Sequence, residues 1–150
     1  MFNPKSMTAM KRITAMLFFL LATVSTFAGD AEIKKAWIDD FGYENDVYGR
    51  YAHVGFVIND CRGQACKVKV YLKDANGKYV KNSNGNVVVF SSTFYPASSS
   101  AKFHDYRVFC PLKYMNIKSS SPSKNYYLVI YIADANGNYI GNSSSMKFTY

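Results

Sequence analysis

The side chains in this chain that are able to do chemistry are few: two histidines, three cysteines and a small set of carboxylates. An enzyme built from them would be a small hydrolase or thiol enzyme using His53, His104 or Cys110, in which an imidazole takes the proton of an attacking nucleophile. The spacing argues against that arrangement. His104 and Cys110 share one face of a regular strand, yet six residues at roughly 3.3 Å each separate them by about 20 Å. Asp39 and Asp40 are sequence neighbours, and neighbours on a strand point to opposite faces, so they cannot act as a paired acid and base. No GxSxG elbow, HExxH helix or phosphate-cradling glycine loop is present. His53 and His104 are therefore expected to be ordinary strand residues and the protein to be non-catalytic, with no cofactor and no metal. Three Cys and one His would suffice for zinc, but no paired CxxC supports such a site. Cys61 and Cys66 bracket Arg62-Gly63-Gln64-Ala65, a plausible turn, and form the candidate disulfide, whose short loop contributes about 2 kcal/mol. Cys110 is then left over as a small buried hydrophobe, and its pairing with either other Cys is the competing connectivity.

Binding offers a better lead, because thirteen Tyr and eleven Phe stand against one Trp. Tyr43, Tyr48 and Tyr51 cluster ahead of a predicted strand, and Tyr95 and Tyr114 flank predicted loops. Rings facing outward at the ends of a domain can stack on sugar faces or anchor a protein interface, since Tyr offers rigid amphipathic area.

The elements that must position these residues are strands. Period-two alternation places Ala52, Val54, Phe56 and Ile58 on one face, Cys66, Val68, Val70 and Leu72 on another, and Leu128, Ile130 and Ile132 on a third. Further strands are predicted at Ile33–Asp39, Val87–Phe90, Phe103–Cys110 and Met146–Tyr150. Clusters of Gly, Asn, Asp, Ser and Pro separate them. Seven or eight short strands at this spacing predict an all-β, antiparallel, immunoglobulin-like sandwich, with a closed barrel as the alternative. Residues 68–90 also echo 128–150: Tyr71-Leu72-Lys73-Asp74-Ala75-Asn76-Gly77-Lys78-Tyr79 answers Tyr131-Ile132-Ala133-Asp134-Ala135-Asn136-Gly137-Asn138-Tyr139. This reads as a reused hairpin whose Asp opens the turn and whose Gly supplies the left-handed residue. A calcium loop is disfavoured because the bidentate Glu is missing.

Residues 1–28 read as a signal peptide: Lys11 and Arg12 precede an apolar run from Ile13 to Val24, and Thr26 and Ala28 occupy the −3 and −1 positions of a cut before Gly29. That leaves a single domain over 29–150 in the periplasm or outside the cell. A run of about a dozen apolar residues is short for a bilayer span of roughly 20, so no stable membrane span is expected after cleavage. Loss of Lys5, Lys11 and Arg12 lowers the net charge from +8 to about +5. With four Arg and scattered lysines, nucleic acid is not an expected partner.

Trp37, Gly49, His53-Val54-Gly55-Phe56, Asn59, Asp74, Gly77, Phe94-Tyr95-Pro96 and the run Asp105-Tyr106-Arg107-Val108-Phe109-Cys110-Pro111-Leu112-Lys113-Tyr114 together carry a resemblance. Over nearly all of residues 33–132 the chain resembles small exported β-sandwich domains of unknown function of the Bacteroidetes type. That resemblance implies a sandwich in a bacterial envelope setting and brings no catalytic residues. The expected function is an exported binding or interaction domain for an unknown protein or glycan at the cell envelope. A carbohydrate-binding module with an exposed Tyr platform is one variant, and an inhibitor or toxin is another.

Overall fold

The computed structural model describes residues 29–39, 41–111, 113 and 123–150. The expected signal peptide, Asp40 and Tyr114 lie outside the described residues. Eight strands follow in order: β1 (Asp30–Ile38), β2 (Gly42–Glu44), β3 (Val47–Asn59), β4 (Cys66–Asp74), β5 (Val89–Phe94), β6 (Ser100–Pro111), β7 (Asn125–Ala133) and β8 (Tyr139–Thr149). All pairings are antiparallel, in two four-stranded sheets. In the first, the long β3 has β1 and then β2 along one edge and β6 along the other; the second runs β5-β4-β7-β8. No helix among the described residues is long and apolar enough to cross a membrane.

The alternation seen in sequence is what builds the core. Ala52, Val54, Phe56 and Ile58 of β3, Val68, Val70 and Leu72 of β4, and Leu128, Ile130 and Ile132 of β7 are all at most 1% exposed and form one cluster fed by both sheets. Phe56 and Phe94 of that cluster pack edge-to-face and stacked with the partly buried Phe103 and Tyr106, with centroids 4.7–6.1 Å apart. Burial of such rings is the main favourable contribution to the fold.

One side-chain device ties the two sheets together along each of their flanks. On one flank, Asn142 of β8 accepts a hydrogen bond from Ile33 N at 2.7 Å and donates Nδ2 to Ile33 O at 3.2 Å. The adjacent Gly141, at φ +73°, lies so close to β1 that a Cβ there would sit 1.6 Å from Ala31 O. On the other flank the Tyr106 hydroxyl of β6 bonds Ser92 Oγ at 2.7 Å and donates to Thr93 O at 3.3 Å on β5.

Two elements were not foreseen. The β2–β3 hairpin turns on Asn45 and Asp46, both with positive φ (49° and 62°), the pattern of a tight two-residue hairpin. The first half of β8 is hidden by the polar run Asn142-Ser143-Ser144-Ser145, which pairing with β7 holds in strand form.

Candidate functional site

His53 is not the ordinary strand residue that its sequence context suggests. It lies on the outer face of the first sheet at 4% exposure, with both ring nitrogens engaged. Nδ1 is 2.6 Å from Asp105 Oδ1, and Nε2 is 2.5 Å from Asp39 Oδ2. Each ring nitrogen thus faces one carboxylate, which holds the imidazole in a single orientation. Strand register explains the assembly. Trp37 and Arg107 sit directly opposite His53 on the two neighbouring strands, and Trp37 stacks on the imidazole at 4.9 Å and 17°. A bulge in the β3–β6 pairing beside Val54 and Phe56 brings Asp105 within reach of the ring. Asp39 is fixed at the end of β1 by its N–H donating to Tyr51 O at 3.1 Å.

Among the described residues, no cysteine joins this cluster. Cys110 points into the core from β6, its thiol donates to Val108 O at 3.6 Å, and burial pushes it up to about 12. His104 is exposed beside the lysines Lys35 and Lys102, separate from both Cys110 and the His53 pair. The expected Cys61–Cys66 disulfide is not formed; all three cysteines are free thiols. Cys61 and Cys66 do come together across their turn, in thiol–thiol hydrogen bonding. Both are sealed from solvent, with the Gly29 backbone against the Cys61 sulfur, and burial first, then the neighbouring Cys61, raises the Cys66 thiol to about 12. Thiolate is the species that attacks a disulfide, so burial withholds both thiols from exchange. No group of three or more His, Cys, Asp or Glu among the described residues is placed to hold a metal ion.

The tyrosines singled out in sequence are spread over the molecule. Tyr43 and Tyr48 form a cross-strand pair at the β2–β3 hairpin, 5.0 Å apart, and Phe41 stacks on Tyr48. Beneath them the Arg50 guanidinium is held between Phe41 and Phe148, at 4.0 and 5.3 Å from the ring centres. Tyr51 faces the opposite way, against His53 and Phe109, its hydroxyl raised by partial desolvation and by a hydrogen bond with Glu44. Tyr95, 65% exposed, follows β5 near the far end of β3.

A second cluster escaped the sequence reading although its signal was in view. The echoed hairpins place Tyr71, Tyr79, Tyr131 and Tyr139 together on the outer face of the second sheet. Each hydroxyl contact crosses between copies: Tyr71 with Tyr139, and Tyr79 with Tyr131. Tyr131 and Tyr139 stack at 4.8 Å and 23°, while Tyr71 meets Tyr131 edge-on at 5.8 Å. Burial, then the bond to Tyr71, raises the Tyr139 hydroxyl to about 12. Lys69 Nζ lies 5.4 Å from the Tyr139 ring and Lys73 Nζ 4.6 Å from the Tyr79 ring. The turns themselves are structural. Asp74 Oδ1 accepts from the N–H groups of Asn76 and Lys78, and Asp134 Oδ1 from those of Asn136 and Asn138. Asn82 repeats the same turn with Asn84 and Asn86, a third instance lacking the Asp.

No protein-family model and no curated protein matches the chain. Among solved structures, the chain is similar to OgpA from Akkermansia muciniphila, at 16% identity and a TM-score of 0.40, over 81% of this chain and 27% of that one. It is also similar to a putative late embryogenesis abundant protein, at 16% identity and a TM-score of 0.33, over 97% of this chain and 84% of that one. The chain thus spans about a quarter of the length of OgpA.

Proposed function

We propose that this protein is an exported, non-catalytic binding domain with an immunoglobulin-like sandwich fold, acting in the periplasm or outside the cell on a protein or glycan. The observation that carries the reading is the division between occupied and open side chains. Both nitrogens of His53 are engaged by carboxylates and the three thiols are buried, whereas aromatic and cationic groups stand at the surface. The Bacteroidetes-type resemblance fits the same setting. An enzymatic reading draws only on the contact of an imidazole with carboxylates, which orients a base but supplies nothing for it to activate.

A glycan array and an affinity capture from envelope extract, each read alongside chemical analysis of the captured ligand, test the proposal. The expected result is saturable binding with the ligand recovered intact. A ligand recovered cleaved, with cleavage lost in His53→Ala, His104→Ala or Cys110→Ala, overturns it.

A further inference from the structure

We propose that the outer face of the second sheet is a binding surface for an anionic polysaccharide, a glycan chain bearing carboxylate or sulfate groups. The inference rests on the binding reading above and names its surface and ligand class.

Charge is the first argument. Along β4, Lys67, Lys69, Tyr71 and Lys73 share the outward side, one residue in two, a spacing of about 7 Å. Lys147 of β8 pairs with Tyr127 of β7 on the same side. Strands β5, β7 and β8 contain no Asp or Glu. The one carboxylate of β4, Asp74, is taken up by its own turn. None of Lys67, Lys69, Lys73 and Lys147 makes an ion pair among the described residues. Such a row of like charges, rigidly spaced and unneutralised, complements a repeating anion.

The second argument is the tyrosine quartet. Its hydroxyls bond one another, so the rings are fixed to the sheet and form a plateau rather than separate fingers. Tyr79 and Tyr139 are 43% and 50% exposed, and the one large aliphatic side chain exposed on these strands is Val89 at the edge. Protein interfaces are built round apolar anchors with few lysines, and here lysines lie among the exposed rings. Exposed faces of Tyr79 and Tyr139 would serve a stacked nucleic-acid base as well as a sugar, so oligothymidylate is a necessary comparator. A sugar chain lying flat takes apolar C–H contact from the rings and ionic contact from the lysines at once. At the Tyr79 end a cleft of about 640 Å³, also lined by Asp74, Asn76, Lys81, Lys124 and Asn125, offers amide and ammonium groups to one further sugar unit, with the Asp74 carboxylate turned to its own turn's N–H groups.

The test is equilibrium binding of the protein to a sulfated glycosaminoglycan and to polygalacturonate. A neutral glucan, single-stranded oligothymidylate and polyglutamate serve as comparators. The proposal expects one or both acidic glycans to bind, more weakly as salt rises, and the comparators at least tenfold less tightly. Lys69→Ser with Lys73→Ser, changes on the outward, half-buried side of β4 and outside the core, is expected to lower affinity at least tenfold. Tyr79→Ser is expected to lower it severalfold with an unchanged melting temperature, and Lys102→Ser on the first sheet to leave it unchanged. Equal binding of polyglutamate or oligothymidylate overturns the polysaccharide assignment. Binding lost in Lys102→Ser but kept in the β4 lysine variant moves the site to the other sheet and leaves the binding-domain reading standing. Failure of both acidic glycans to bind overturns this inference; the binding-domain reading stands if the array finds another ligand and falls if it does not.

Discussion

On the outer face of the first sheet, positive and negative groups answer one another: His53 lies between Asp39 and Asp105, Lys34 pairs with Glu32 at 2.6 Å, and Arg107 leans over Tyr51. On the second sheet the charges are lysines, and what surrounds them is tyrosine. Both faces carry aromatic rings packed against cations, but carboxylates meet part of the first face, whereas Lys67, Lys69, Lys73 and Lys147 of the second make no ion pair among the described residues. A surface of the first kind holds strands together; one of the second kind is available to a partner. The contrast therefore separates what His53 does from what Lys69 and Lys73 do, although all three sit on equivalent outward positions of central strands.

The hardest strain on that contrast comes from His53→Ala. It removes a nearly buried ring, leaves two carboxylates facing a gap and uncovers Trp37, so a loss of about 2–3 kcal/mol is expected in urea unfolding. A loss below about 0.5 kcal/mol would mean the first face is no more structural than the second. Asp39→Asn and Asp105→Asn, at half-exposed positions, should each cost less than about 1 kcal/mol.

Next in size is a difference within the second sheet. Asp134 is buried and bonds Asn138 Nδ2 as well as two backbone N–H groups, whereas Asp74 makes the same turn in the open. Asp134→Ala is expected to cost about 2 kcal/mol and Asp74→Ala about half that. Equal losses would show that burial adds nothing to the repeated turn.

The alkaline limb gives a smaller effect. Cys66 and Cys110 are raised to about 12 by burial, from an ordinary 9.0. Below pH 9 the thiols are protonated in both states and their contribution is complete. Between 9 and 12 the unfolded chain ionises and the folded one does not, so stability falls as pH rises. Cys110→Val should flatten that fall, preserving roughly 5 °C of melting temperature at pH 11 relative to the parent's own decline. The smallest effect belongs to the open face: Lys69→Ser with Lys73→Ser should change stability by less than about 0.5 kcal/mol.

The strands of the core were legible because alternation reports burial directly, and Val54, Val70 and Ile130 obey it. The His53 cluster was not, because its partners come from positions 14 and 52 residues away and depend on a bulge that no local pattern encodes. In sequence Asp39 has Asp40 as its nearest carboxylate, and nothing local ties it to His53. The tyrosine quartet was half legible: the echo of 71–79 in 131–139 was plain, but pairing of β4 with β7, which makes the copies meet, is a property of sheet order. The β2 turn at Asn45-Asp46 carried its own signal in two residues that tolerate positive φ.

The clasp between Asn142 and Ile33 spans 109 residues and joins the earliest described strand to the last. A bond of that reach cannot form during synthesis until β8 has emerged, so β1 can pair with β3 early but its clasp to the second sheet must wait. Bringing such distant segments together is slow compared with closing a hairpin. The flank that joins the two sheets is therefore the last part of the described fold able to close.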